Sequence, residues 1–490
     1  MPTTILLLIA PIAVPAGTAV LHAVAGWRRT GWAGVVAAAG LLASGVALAA
    51  AEPVAAFGGL LRADALTAFM LIVIGAVALV ATGAAPSYQR AETAAEHSTD
   101  ASATRYGILV QAFLATMCLA VLAGNLGILW VAVEATTITT AFLVGHRATR
   151  SAVEAAWKYV VICSVGITVA LLGAVITLYA AQHAAIPTGQ GLDLATLAST
   201  PGLDPGVMRL AVTLLVIGFG TKAGLAPLHG WLPDAHSQAP APVSALLSGV
   251  LLSVAFYAIL RVKTIADTAL GTGFTRTLLL IVGLASLVLA ASLLIGQRDY
   301  KRMLAYSSIE HMGLLAVGAA VGTRLAITAV LLHILGHGLA KSVLFCGAGQ
   351  ILHATGSSRI AAVRGLATRA PVLAGAFAVG LLGLLGLPPF ALFASELGIA
   401  RAGFDAGLGW AISAAFALVL VVAAALLTHT SQMLLGPPPD PAAAATLPVA
   451  PPRSAAVPLI LGLIACAALG LAAGPMTDLL TQAATVVGTR

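Results

Sequence analysis

Six ionisable residues stand in segments that are otherwise almost wholly apolar: Glu134, Lys222, His333, His337, Lys341 and Glu396. Lys222 lies near the middle of a stretch from Val207 to Leu225, among Gly, Thr and hydrophobic neighbours, with Pro227 five residues on. A charged side chain at bilayer depth costs about 3 kcal/mol or more unless it faces water or a partner, so it marks a proton or ion pathway by default. A lysine there has a chemistry that arginine lacks: it can alternate between charged and neutral forms. Glu134, in WVAVEATTITTAFLV, is the complementary acid, its proton held or released according to whether Lys222 carries charge. The bland alternatives are a packing Glu bonded to Thr136 or Thr137, and a Lys222 that snorkels or forms a static ion pair with Glu134.

His333, His337 and Lys341, in LLHILGHGLAKSVLF, are spaced i, i+4, i+8 and share one helix face. They climb about 12 Å together at roughly 1.5 Å per residue. Gly336 and Gly338 between them are expected to open space for a hydrated proton path. Two His at i, i+4 also suit a metal, but no HExxH motif or third soft ligand accompanies them, so no metal is expected. Glu396 follows Pro388–Pro389 closely and reads as an entry or exit carboxyl, or as the cap of a half-helix. Glu154 and Lys158 form an i, i+4 pair near a helix end. Glu310 and His311 fit relay and packing equally, and His229 and His236 read as loop structure at the membrane edge.

The elements that position these groups follow from composition. Of 490 residues, 60% are hydrophobic and 8% charged, with mean hydropathy +1.03. Soluble domains average roughly a quarter charged, so the chain is an all-α, polytopic membrane protein. About 20 apolar residues span a bilayer as a helix. The hydropathy resolves into about 14 spans: 4–25, 31–51, 64–85, 105–122, 125–145, 153–180, 207–225, 241–262, 275–297, 303–321, 324–353, 370–400, 408–434 and 455–474. No soluble domain of useful size fits between them. Met1–Ala10 carries no Lys or Arg, so the first span reads as uncleaved, with its N-terminus outside. Counted by alternate loops, 14 Lys and Arg, including Arg28, Arg29, Arg90 and Arg147, fall on the side taken as cytoplasmic, against eight opposite. The net charge of +7 is spread over short loops and calls for anionic lipid headgroups rather than nucleic acid. Cys118, Cys163, Cys346 and Cys466 stand singly in apolar runs, which argues against haem, zinc or iron–sulfur ligation.

Two polar stretches, Pro86–Thr104 and the Pro/Ala-rich Gly436–Pro452, read as a surface loop and a linker. Between them the chain echoes itself. Glu134 precedes Lys222 by 88 residues, and Glu310 precedes Glu396 by 86. Pro227 and Pro388–Pro389 interrupt the helices that hold Lys222 and Glu396. Five spans over 105–262 would then repeat as 275–434, and an odd number of spans inverts the second copy in the membrane. Inverted repeats with paired broken helices are a transporter signature. Residues 1–104 and 455–490 would flank the two units.

The stretches GFGTKAGLAPLHGWLPDAHSQAPAPVSALLSG, RDYKRMLAYSSIEHMG and LLHILGHGLAKSVLFCGAGQILHATG resemble the antiporter-like subunits shared by respiratory complex I, Mrp-type antiporters and membrane-bound hydrogenases. Within that group SAVEAAWKYVVICSVGI and PDAHSQAPAPVSALLSGV are most similar to the F-type membrane subunit of hydrogenase-4 and formate hydrogenlyases. The resemblance implies a 14-helix fold with two inverted five-helix repeats. It matches Glu134 to the Glu of the fifth helix and Lys222 to the Lys of the broken seventh. His333, His337 and Lys341 match the eleventh-helix polar row, and Glu396 the ionisable residue of the broken twelfth. One departure stands out: where relatives carry His or Lys in the eighth helix, this chain has Ser248 and Ser253. The link from Lys222 to His333 must therefore use water, serines or Tyr257.

The function so implied is a non-catalytic, proton-translocating subunit of a redox complex in the cytoplasmic membrane, without a cofactor of its own. Its partners would be other membrane subunits together with hydrogenase-like and iron–sulfur peripheral subunits. The alternatives are a subunit of an Mrp-type sodium/proton antiporter or proton-driven inorganic carbon transporter, and a structural anchor with a degenerate pathway.

Overall fold

Helices that must satisfy every backbone group internally are what an apolar chain of this kind can place in a bilayer, and the chain obeys that constraint. The computed structural model describes residues 2–184, 186–187, 189–437, 453–472 and 474–488. All 14 expected spans are helical. They are α1 (Pro2–Ala25), α2 (Ala33–Ala49), α3 (Ala65–Ala94), α4 (Asp100–Leu122), α5 (Leu126–Val144), α6 (Arg150–His183) and α7 (Pro205–Lys222), continued by the half-helix α8 (Trp231–Gln238). Then come α9 (Ala241–Leu270), α10 (Thr272–Ile295), α11 (Tyr300–Val321) and α12 (Arg324–Thr355). The broken pair α13 (Pro371–Leu384) and α14 (Ala391–Asp405) follows, with α15 (Gly409–Leu435), α16 (Arg453–Leu471) and the short α17 (Gly474–Val486). Among the described residues, 12 of these helices are long and apolar enough to cross a membrane; α2 and the two halves α13 and α14 are shorter. The protein is a multi-pass membrane protein.

Helices α9, α11 and α12 form the centre, with the apolar stretch of each buried in full, whereas α1, α15 and α16 lie at the periphery. A helix apolar all round and covered on every side belongs in the middle of a bundle. The central three carry Ser248, Glu310, His311, His333, His337 and Lys341, so the titratable groups sit where the protein, not lipid, surrounds them.

Charged locks hold the ends of the bundle. Asp64 caps α3 by accepting from the Thr67 amide at 3.0 Å and takes Arg261 of α9 in a two-pronged bond at 2.7 and 2.8 Å. Burial acts to raise the Asp64 carboxyl, but the Arg261 guanidinium prevails and holds it below its ordinary range. At the other end Glu92 binds Arg147 and His353, the latter at 2.6 Å. This second lock corrects the expected loop over Pro86–Thr104. Helix α3 runs through Pro86 to Ala94, α4 begins at Asp100, and Ser87, Gln89 and Glu92 are buried. A short hairpin, β1 (Val54–Ala56) with β2 (Leu61–Ala63), was also not foreseen. From Pro438 on, the linker expected over Gly436–Pro452 lies outside the described residues.

Close backbone approach joins α6 to α7. A Cβ on Gly218 would stand 2.5 Å from the Ala170 amide nitrogen and 2.6 Å from the Gly166 carbonyl oxygen, whereas one on Gly273 would meet nothing within 4 Å. Gly218→Ala should therefore destabilise the purified chain by about 1–3 kcal/mol, read as a lowered thermal midpoint. Gly273→Ala should leave the midpoint unchanged or slightly raised, and equal midpoints for the two variants would contradict the close contact.

Candidate functional site

Helix α7 ends at Lys222 because Gly224, at φ 76°, turns the chain and Pro227 offers no amide hydrogen. The backbone groups freed by this break find partners: the Trp231 indole donates to the Thr221 carbonyl at 2.9 Å, and the Ala226 amide donates to Ser286 Oγ at 2.9 Å. The half-helix α8 is pinned by Asp234, which binds Lys158 of α6 at 3.2 Å and Arg302 of α11 at 2.9 Å. Lys158 also meets Glu154 at 2.7 Å, so the pair is part of an exposed structural clasp.

Lys222 is fully buried. Its Nζ donates to Thr137 Oγ1 at 2.8 Å and to Tyr159 OH at 2.5 Å, and lies 4.6 Å from the Tyr159 ring centroid. Thr137 in turn donates to Glu134 Oε2 at 3.1 Å, and Ser164 donates to Oε1 at 3.3 Å. The expected Glu134–Lys222 couple thus runs through one hydroxyl, and among the described residues no ion pair joins the two directly. Glu134 is only half-buried, beside the exposed side chains of Val131 and Ile138.

The second cluster gathers around α12. His333 Nε2 lies 3.1 Å from His311 Nδ1, and His333 Nδ1 lies 3.0 Å from Ser395 Oγ on α14. The His311 and His337 rings stand 4.9 Å apart, and Glu310 Oε2 is 3.4 Å from His311 Nε2. Both ring nitrogens of His337 and Glu310 Oε1 are buried without a hydrogen-bond partner. Lys341 donates to the Leu304 carbonyl at 2.6 Å and to Ser307 Oγ at 2.5 Å. The Glu396 carboxyl packs on Gly386 in the break between α13 and α14, where φ is 63° and a side chain would be strained.

His311, Glu310 and His333 therefore form one group, which takes in both Glu310 and His311, residues whose sequence context fits relay and packing equally. Their signal was the Glu–His pair in the interior of an otherwise apolar helix. His236 is a second omission and a correction: it is fully buried, with both ring nitrogens unpartnered, 6.2 Å from the Trp231 ring and 5.4 Å from that of Phe345 on α12. It stands between the two clusters rather than at the membrane edge. Gly336 and Gly338 do not open space. Gly338 packs on Gly249, where a Cβ would come 2.9 Å from the carbonyl oxygen, and Gly336 packs on Ala391 and Leu392.

Of the groups expected to bridge the clusters, Ser248 reaches the second one, its Oγ lying 2.7 Å from Ser308 Oγ, next to the Ser307 that holds Lys341. Ser253 only bonds its own helix, and Tyr257 is diverted to the Val121 carbonyl and Arg261. Ser248 lies in a π-helical turn, Leu247–Leu251, a local widening often found at functional sites. No metal motif is legible in the sequence, yet His311, His333 and Glu396 each bring a ligand atom within 4.8 Å of the others. The same proximity suits exchange of a proton. All four cysteines are buried free thiols.

The fold thus gathers acids, lysines and imidazoles inside a bundle of broken and unbroken helices. The chain belongs to the family described as NADH:quinone oxidoreductase/Mrp antiporter, TM, which matches residues 123–422. It is 40% identical over 315 residues to a hydrogenase-4 component F homolog of Methylacidiphilum infernorum, covering 63% of this chain and 65% of that one. It is 37% identical to NADH-quinone oxidoreductase subunit N of Desulforudis audaxviator, over 64% of this chain and 60% of the relative. The chain thus spans less than two thirds of the length of these relatives. In fold it matches a chain of the membrane-bound sulfane sulfur reductase, an archaeal respiratory membrane complex, with a TM-score of 0.86 at 23% identity, covering 100% of this chain and 98% of that one. The Mrp complex of Dietzia sp. DQ12-45-1b contains another such chain, with a TM-score of 0.84 at 24% identity over 99% of this chain and 98% of that one.

The hydroxyl between Glu134 and Lys222 is open to a direct test. Thr137→Val should destabilise the chain by about 1–3 kcal/mol, because it leaves polar groups on both sides short of a partner. Thr137→Ser should restore the thermal midpoint, and a Val variant as stable as wild type would remove Thr137 from the link.

Proposed function

We propose that this protein is a proton-translocating subunit of a hydrogenase-type or respiratory redox complex in the cytoplasmic membrane. The observation that carries the reading is the series from the half-buried Glu134 through the buried Lys222, His236 and Lys341 to His337, His333 and Glu396, with Glu310 and His311 beside it. Glu134, Lys222, His333, His337, Lys341 and Glu396 are its relay groups. Each can hold and release a proton, and the hydroxyls of Thr137, Tyr159, Ser248 and Ser308 stand between them. Water entering from either face would complete the intervals that no side chain spans.

The division into inverted units 105–262 and 275–434, flanked by 1–104 and 455–490, is supported by matching details. Asn125 caps α5 and forms a bridge with Asp193 beyond α6; Asp299 caps α11 and forms a bridge with Arg359 beyond α12. Each unit then breaks one helix, at 223–230 and at 385–390. Electron transfer would belong to partner subunits, since the chain carries no cofactor motif. The naming of its relatives as hydrogenase-4 and NADH-quinone oxidoreductase components favours hydrogenase-like partners, with iron–sulfur peripheral subunits proposed beside them. A neighbouring membrane subunit against α5 would complete the burial of Glu134.

Lys222 tests the mechanism in the reconstituted native complex, with proton uptake, sodium flux and electron transfer followed together. Lys222→Met should reduce proton movement roughly tenfold or more, and Lys222→Arg nearly as much, because a guanidinium keeps its proton. If Arg pumps like wild type while Met fails, Lys222 is an electrostatic prop. Sodium flux that exceeds proton flux would favour the antiporter alternative.

A further inference from the structure

We propose that the cleft between α2, α3 and α16 is a binding site for an anionic phospholipid. Two cavities meet there at Trp32. One, of about 710 Å³, is polar and is lined by Arg28, Arg29, Arg90, Gln89 and a single acid, Asp100. The other, of about 700 Å³, is apolar and is lined from α3 by Ile72, Ala76, Leu79 and Gly83, facing Pro458 and Leu461 of α16. The two share one stripe of α3. Ile72, Ala76, Leu79 and Gly83 continue into Pro86, Arg90 and Thr93 at three- and four-residue steps, so one helix face turns from apolar to basic.

The dimensions and charges suit a lipid. From Val457 to Ala472 the apolar wall on α16 runs roughly 22 Å at about 1.5 Å per residue, enough for an acyl chain in one leaflet of a core about 30 Å thick. Trp32 stands at the junction and Trp27 lines the polar cavity beside it, and tryptophan rings settle at headgroup level. Three arginines against one aspartate favour a phosphate diester. Arg28, 81% exposed even while it pairs with Asp100 at 3.6 Å, is free to turn towards a ligand. Gln89 is the independent sign. It is 2% exposed, lines the polar cavity, and has neither side-chain Nε2 nor Oε1 hydrogen-bonded. Burying an amide without partners is costly, and a headgroup phosphate or glycerol would satisfy it. None of these residues belongs to the relay, so the proposal stands apart from the direction or identity of the transported ion.

The test uses the full-length chain in detergent, with native mass spectrometry reading retained phosphatidylglycerol against phosphatidylcholine of the same acyl chains. Wild type should retain the anionic lipid about tenfold better, as three basic side chains at the headgroup imply. Arg28→Gln/Arg29→Gln/Arg90→Gln should abolish that preference, and Ala76→Phe, which fills the apolar groove, should reduce retention of both lipids. Equal retention of the two lipids by wild type, or a preference that survives the triple substitution, would overturn the proposal. So would displacement of bound lipid by inorganic phosphate alone, or unchanged retention in Ala76→Phe. A Cys introduced at Ala76 that cross-links to another subunit of the native complex would assign the groove to a protein partner instead.

Discussion

Everything in this molecule is arranged around the cost of keeping ionisable groups where the surroundings are apolar. The chain meets that cost in two different ways. At the ends of the bundle three charge pairs are held together: Arg261 with Asp64, Arg147 with Glu92, Lys263 with Asp267, while the buried Lys301 donates to the Ser237 and Ala239 carbonyls instead. Removing one partner of such a pair strands the other, so these pairs are fixed joints. In the middle of the bundle the partners are neutral. Lys222 has two hydroxyls, Lys341 a carbonyl and a hydroxyl, and His337 nothing among the described residues. A group whose partners are neutral can lose or gain its charge without stranding a counter-ion. Paired charges and groups with neutral partners thus differ in what stands beside each of them.

The breaks in α7–α8 and α13–α14 serve the same end. An unbroken helix presents only side chains to its neighbours, but a break presents backbone as well. At the first break Trp231 and Ser286 take up the freed carbonyl and amide. At the second, Gly386 lets the Glu396 carboxyl lie against backbone. Close contact of Gly249 with Gly338 joins α9 to α12, and the neighbouring Ser248 meets Ser308 of α11.

The spans, the breaks and Lys222, His333, His337 and Lys341 were legible in the sequence because each is a local contrast: an apolar run, a proline, a charge with no polar neighbours. What was not legible depends on distant partners. Glu92 lies in a polar stretch that reads as a loop, yet residues 55 and 261 positions away, Arg147 and His353, bury it and hold α3 helical through Pro86. His236 has Pro233 and Asp234 beside it and reads as an edge, but the half-helix that carries it turns back into the bundle against Phe345. The role assigned to Gly336 and Gly338 failed for the same reason: whether a missing side chain makes a void or a contact is decided by the facing helix. The strands of the hairpin, at three residues each, are too short for alternation to mark them.

Hydrogen-bond counting gives both clusters a direction. Ser395 Oγ lies 2.9 Å from the Leu392 carbonyl, which can only accept, so its single proton is spent there. His333 Nδ1 must then donate to Ser395, His333 Nε2 must accept, and His311 Nδ1 must donate to it. With both rings neutral, the bare nitrogen is His311 Nε2, the one that faces Glu310 at 3.4 Å. In the first half, Thr140 donates to the Thr136 carbonyl at 2.6 Å, so Tyr159 donates to Thr140 and accepts from Lys222. Thr137 accepts from Lys222 and donates to Glu134. Each network is therefore closed at a backbone carbonyl at one end and open at a carboxyl at the other. In this polarity a carboxyl stands at the open end of each row, Glu134 in one half and Glu310, against His311, in the other. The sequence spaces these two acids alike, and the hydrogen-bond polarity gives that likeness a chemical meaning that spacing alone does not carry.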